Sequence, residues 1–148
     1  MRKLALALAL APLPLVAQEL AIPPVKMLDT SHEAQDQQAD HDRRLRLMED
    51  ILAAELPGRL ISREEIAAAC PRETTDCLVT ALRERGADHG LFIVVQKTST
   101  LILQAFASVV DLEVEQLVTH AELSFRGDND EAWQRAARFL VGKLRDAG

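Results

Sequence analysis

Gln116-Leu-Val-Thr-His-Ala-Glu-Leu-Ser-Phe-Arg126 alternates along its whole length, with Leu117, Thr119, Ala121, Leu123 and Phe125 on one side and Val118, His120, Glu122, Ser124 and Arg126 on the other. A period of two marks a strand with one dry face. Working upstream, Leu91-Phe-Ile-Val-Val95 is an apolar run rich in β-branched residues, and Leu101, Leu103, Ala105, Ala107 and Val109 fall in step on one face of the next run. Both read as strands. The polar Lys97-Thr-Ser-Thr100 between them predicts a tight hairpin, and a second turn near Glu113 to Gln116 completes an antiparallel three-stranded meander.

Downstream, Asp128-Asn-Asp-Glu131 offers side-chain oxygens to the free amides of a helix start, with Glu131 placed as a capping box. Trp133, Ala136, Ala137, Leu140, Val141 and Leu144 then recur at helical spacing, while Gln134, Arg135, Arg138 and Arg145 fill the other positions. This predicts an amphipathic helix that lays one stripe, Trp133 included, on the sheet.

Before the meander the signals are shorter. Val25-Lys-Met-Leu28 reads as a short strand, and Ser31 to Asp42 as a polar, acidic surface loop. Leu45, Met48, Ile51, Leu52 and Leu56 give the first core helix, stopped by Pro57-Gly58. A brief strand at Leu60-Ile61 precedes Ser62-Arg-Glu-Glu65, a capping box that opens a short helical turn closed by Cys70-Pro71. A third helix, capped by Thr74 or Thr75, carries Cys77, Leu78, Ala81 and Leu82 and ends at Gly86. The expected fold is a single α/β (α+β) domain over 18–148, a mixed sheet with a C-terminal antiparallel three-stranded meander and helices packed on one face.

The first residues carry a separate message. Arg2-Lys3 precedes an apolar run, Leu4 to Val16, broken by Pro12 and Pro14 and followed by Ala17-Gln-Glu. This resembles a secretory signal peptide over 1–17, cleaved after Ala17, and the run is too short and too broken for a permanent membrane span. The expected location is the periplasm. Two of the 17 basic residues, Arg2 and Lys3, lie in the leader, whereas all 23 acidic ones lie beyond it. The exported body is therefore more acidic than the whole chain, whose formal charge is −6, and nucleic acid is not an expected partner.

Few residues suggest chemistry. Cys70 and Cys77, in an oxidising compartment, are read as a disulfide; their spacing is not the Cys-x-x-Cys of a redox pair. Asp29, His32, Glu33, Asp36 and His41 supply oxygen and nitrogen donors, but at spacings that match neither zinc nor calcium motifs, so no metal is expected. No serine sits in a Gly-x-Ser-x-Gly elbow and no glycine-rich phosphate loop exists. No enzyme and no cofactor are expected. The polar groups that stand out are Gln96, Lys97 and Ser99, directly after a dry strand, and Arg126 and Asp130, between strand and helix; with Trp133 they form the candidate interaction residues.

These residues also carry a resemblance. Leu28-Asp29-Thr30-Ser31, Cys70 and Cys77 ahead of Gly86-Ala87-Asp88, Val95-Gln96-Lys97 with Ser99 and Leu101-Ile102-Leu103, and Arg126-Gly127 with Asp130-Glu131, Trp133 and Arg135 are similar to motifs of a family of short exported proteobacterial proteins known as a domain of unknown function. Where that family has glycine and tryptophan before Val-Gln-Lys, this chain has Ile93 and Val94. Element order also resembles the small α/β domain at the amino terminus of TolB and in curli-assembly and penicillin-binding-protein-activator proteins of the cell envelope. What the resemblance implies is a non-catalytic periplasmic accessory or protein-interaction module with an envelope protein as partner. The second reading is a small-ligand or metal-binding periplasmic protein using the polar turn residues, and an enzyme ranks last. An interaction module predicts an apolar or edge-strand patch on the surface; a ligand protein predicts an enclosed pocket converging on Lys97, Arg126 or Asp130.

Overall fold

The computed structural model describes residues 18–147, so the leader predicted over 1–17 and its cleavage site lie outside the described residues. In chain order the elements are β1 (Leu20–Ile22), β2 (Lys26–Asp29), α1 (Gln38–Glu55), β3 (Gly58–Leu60), α2 (Arg63–Ala69), α3 (Thr75–Glu84), β4 (His89–Lys97), β5 (Ile102–Asp111), β6 (Gln116–Arg126) and α4 (Asp130–Asp146). They build one mixed sheet in the order β3-β1-β4-β5-β6, with β2 also paired to β4. The predicted meander is β4-β5-β6, antiparallel throughout. Among the described residues no helix is long and apolar enough to cross a membrane.

β1 and β2 run along the same side of β4, both parallel to it, β1 beside His89 and Gly90 and β2 beside Val94 to Lys97. They are two pieces of one interrupted strand. Pro23 and Pro24 have no amide hydrogen to give a ladder, and the Val25 N–H that follows donates instead to the buried Glu49 carboxylate, 2.8 Å away. Burial pushes the Glu49 carboxyl up, against hydrogen bonding from Val25 and the nearby Arg63. β1 was not expected. Three residues ahead of two prolines carry no periodicity to read.

Helices cover both faces. α1 and α4 lie on one, where Met48, Leu52, Leu91, Ile93, Val95, Leu103, Trp133 and Leu140 form the larger core. α2 and α3 lie on the other, with Ala21, Ile66, Val79, Leu82 and Leu112 buried against Phe92. The expectation of helices on one face therefore holds for the long pair alone. Its physical reason is visible in Leu91-Phe-Ile-Val-Val95, which is apolar on both sides, as a central strand covered above and below must be. Gly90 assists: a Cβ there would lie 3.1 Å from Leu82 Cδ1, so its absence lets α3 sit close to the strand.

Caps follow the local chemistry. Ser62 and Glu65 form the expected capping box, Thr74 caps α3, and Gly86, at φ 84°, ends it. α4 differs in detail. Its cap is Asn129, whose side chain accepts from the Ala132 amide, so Asp128 and Glu131 form no capping box. α1 begins at Gln38, inside the stretch read as loop, and its first inward residue is His41, followed by Leu45, Met48 and Leu52. A polar residue opening the stripe hides the helix start from apolar periodicity. Cys70 and Cys77 are bonded, Cα to Cα 5.8 Å, and tie α2 to α3.

In β6 the alternation runs as read up to a bulge between Thr119 and Leu117, which face Val109 and Val110. Beyond it Leu117 and Val118 are both exposed, at 61% and 57%. Leu101, read as part of the inner face of β5, lies in the turn and is exposed.

Candidate functional site

β4 ends at Lys97, in phase with Leu91, Ile93 and Val95, so its side chain enters the core layer under α1 and α4. It is 0% exposed. The methylene stem packs with apolar neighbours while the ammonium is held by Glu33 Oε2 at 2.5 Å, Gln37 Oε1 at 2.5 Å and Asp128 Oδ2 at 2.7 Å. Three donors on a lysine meet three acceptors. No donor is left over.

Asp128 is the hub. It follows Gly127, whose φ of 100° turns the chain out of β6, and a Cβ there would stand 3.2 Å from Asn129 Nδ2. Its Oδ1 accepts from Trp133 Nε1 at 2.9 Å and from an Arg44 guanidinium nitrogen at 3.0 Å; its Oδ2 faces Lys97 and His41 Nε2, each at 2.7 Å. Arg44 extends the cluster through Nε to Asp130 Oδ1, 3.1 Å away, which Arg43 also reaches. Burial works against the charge on Asp128, but hydrogen bonds from Lys97, His41 and Trp133 outweigh it and bring its carboxyl down to about 2. Burial likewise works against the charge on Lys97, and hydrogen bonds from Asp128 and Glu33 reverse that, raising its pKa. The amine stays protonated and the carboxylate ionised. A protonated amine has no lone pair for nucleophilic attack, and an ionised carboxylate has no proton to give.

The cluster places three of the sequence-selected residues together: Lys97 and Trp133 through Asp128, and Asp130 through Arg44. It does not gather the others. Gln96 points to the opposite face of β4, half-buried between Leu28 and Gln104; Ser99 lies in the β4–β5 turn; Arg126 is exposed at the end of β6. Of the acidic loop, Glu33 and His41 enter the cluster, Asp29 binds Ser31, and Asp36 accepts from the Gln38 amide. Among the described residues no group of three metal-ligating side chains converges, and every buried side-chain nitrogen or oxygen has a partner. Sequence reasoning missed Asp128, Gln37 and Arg44 as members. The signal available was His41 four positions before Leu45, which puts it on the inward stripe of α1.

Outside the cluster the surface offers apolar features. An apolar cleft of about 180 Å³ lies between the broken β1–β2 strand and the α2–α3 side, lined by Pro23, Pro24, Ile66, Leu78, Phe92 and Val94 and bridged by a Lys26–Glu73 ion pair. A groove runs between β6 and α4, beside the half-exposed Phe139. Val114, Leu117 and Val118 are exposed at the β5–β6 end, at 58%, 61% and 57%.

No curated protein matches the sequence. Solved structures do match the fold. PelC from Paraburkholderia phytofirmans, a dodecamer, is similar with a TM-score of 0.53 at 14% identity over 88% of this chain and 86% of that one. The lipoprotein GNA1162 from Neisseria meningitidis gives 0.51 at 13% over 88% and 95%, and the C-terminal domain of LpoB from Escherichia coli 0.51 at 13% over 72% and 81%. At these identities the likeness is one of fold. The sequence itself is matched over residues 18–144 by the DUF3280 model, described as a protein of unknown function (DUF2380), and the chain belongs to that family.

Proposed function

We propose that the protein is a non-catalytic accessory or interaction module of the bacterial cell envelope, carried to the periplasm by its first 17 residues. The observation that carries this reading is the division of its side chains. The enclosed polar groups Lys97 and Asp128 are consumed by their own chain inside the fold, while Leu28, Val114, Leu117, Val118 and Phe139 stand roughly half or more exposed. Apolar surface left in water on an otherwise acidic body is what a protein partner covers. The fold supports the same reading, being shared with PelC, LpoB and a lipoprotein, and so does the leader-like start. The competing ligand-binding reading needs an open pocket on Lys97, Arg126 or Asp130. Lys97 is sealed by its own chain, and the exposed Arg126 lines the open groove between β6 and α4, which Lys97 does not line.

Two measurements test the proposal. Mass spectrometry of protein from the envelope should find an amino terminus near Gln18; an intact Met1 terminus in the cytoplasm overturns the location. A photo-crosslinking residue at Val114 or Phe92, beside the exposed end and the apolar cleft, should give a discrete protein adduct in living cells, and one at exposed Arg145 should not. Absence of an adduct at both Val114 and Phe92 overturns the module.

A further inference from the structure

β6, 11 residues long, forms the outer edge of the sheet, so among the described residues its outward backbone groups have no strand partner. Edges of this length are ordinarily blunted by proline, by charged side chains such as lysine, by a bulge or by cover from another element. Gln116 to Arg126 contains neither proline nor lysine, and its bulge lies at one end, beside Val118, which leaves Thr119 to Arg126 regular. The strand is, instead, complementary to itself when read backwards about Ala121. His120 then meets Glu122, Thr119 meets Leu123, and Ala121, only 7% exposed, meets its own copy. Each pair joins residues of the same parity, so the helix-side face stays with the helix-side face.

Building on the reading of the protein as an interaction module, we propose that a second copy of this chain occupies the β6 edge, pairing antiparallel about a two-fold axis at Ala121 to make one sheet continuous through both copies. Imidazole–carboxylate pairing chooses this register. Sliding the copies by two residues sets His120 against His120 or Glu122 against Glu122, and in the proposed register the four side chains alternate imidazole and carboxylate around the axis. Within one chain His120 already reaches Glu122, at 3.1 Å, which shows that both side chains lie on the same open face. On the other face Ala121 is already covered by the core of its own chain, and the groove between β6 and α4 runs from Leu123 to Phe139, 48% exposed. The two α4 helices come alongside each other there and cover it. The bulge next to Val118 ends the regular ladder, which leaves Leu117 and Val118 as an apolar border. The contact is isologous and closes on itself, so it gives dimers and not fibres.

Sedimentation velocity of the purified protein from micromolar to near-millimolar concentration tests this. The wild type should dimerise. His120→Glu, which sets carboxylate against carboxylate in two symmetric pairs, and Glu122→Lys, which removes the acceptor facing each imidazole, both lie on the exposed face and should each weaken the dimer about tenfold. The double swap, His120→Glu with Glu122→Lys, should restore it to within about threefold, since a carboxylate and an ammonium then face each other in both pairs. Circular dichroism would verify that each variant is folded. A wild type that stays monomeric overturns the proposal and leaves the interaction-module reading to its own crosslinking test. A dimer indifferent to both single variants, or a double swap no tighter than the singles, also overturns it.

Discussion

Lys97 Nζ stands 2.7 Å from Asp128 Oδ2, joining the last residue of β4 to the residue that follows Gly127. Their side chains are 0% and 7% exposed. An enclosed pair is held together less by its own attraction than by the cost of stranding either charge alone. Asp128→Ala, which strands Lys97 and removes the acceptor of Trp133, Arg44 and His41, should cost ~3–5 kcal/mol. Asp128→Asn keeps an acceptor oxygen and should cost less. Combined with Lys97→Met, it should cost less than the two single losses together. Urea denaturation measures all four variants, Lys97→Met alone included, and strictly additive losses would contradict the contact.

Acid should reveal the same residue. The folded carboxyl of Asp128 sits at about 2, against an ordinary value of 3.8. Between those values the unfolded chain binds the extra proton, so stability rises with pH there. The contribution, about 2 kcal/mol, is complete above the unfolded value and is lost as pH falls toward the folded one. Asp128→Asn should flatten that part of the acid limb. Denaturation profiles of equal slope in variant and wild type would refute the assignment.

Trp133 is 0% exposed and meets Phe125 edge to face at 5.9 Å, besides donating to Asp128. Trp133→Ala should cost ~3–5 kcal/mol. Trp133→Phe, keeping a ring but no N–H, should cost ~1–2 kcal/mol. Arg138→Ala, on the exposed side of α4 with only a loose 3.7 Å pairing to Glu55, should stay within about 0.5 kcal/mol. Equal, small losses at Trp133 and Arg138 would remove Trp133 from the core.

The Cys70–Cys77 bond closes a short loop between α2 and α3, on the face away from the ion cluster. Reduction should lower stability by ~2–3 kcal/mol. It should leave the Trp133 environment unchanged until the whole domain unfolds. Thiol counting in denaturant, which should find none free in the oxidised protein, and tryptophan fluorescence on reduction provide the check.

What the sequence shows of this fold tracks how local each cause is. The alternation of β6 and the stripe from Trp133 to Leu144 are written in neighbouring residues, and every apolar position of that stripe is buried. So is the Ser62–Glu65 cap. The ion cluster is not. His41 and Asp128 are 87 positions apart, and nothing near either announces the other. Asp128 also stands beside a helix start, where a capping role is the obvious local use for it; Asn129 takes that role and frees Asp128 for the core. The second helical layer was legible only in retrospect, from the apolarity of Phe92 on the side of β4 that a one-faced sheet would leave wet.

The enclosure of Lys97 has a kinetic consequence. β4, β5, β6 and α4 follow one another through short turns, whereas the parallel side must close long loops, as from Glu19 to Asp88 across 69 residues. Local pairings form ahead of distant ones because less chain entropy is lost in closing them. On that ordering Lys97 and Asp128 are expected in the early half, and Glu33, Gln37 and His41, which contact them in the native state, in the late one. Until that second half docks, the lysine ammonium remains in water, and its dehydration falls on the native side of the barrier. Lys97→Met should then steepen loss of the native state by speeding unfolding and leave the folding rate nearly unchanged, a split that a denaturant chevron would resolve. The cluster is in this sense a late latch, setting how long the assembled domain persists more than how quickly it forms.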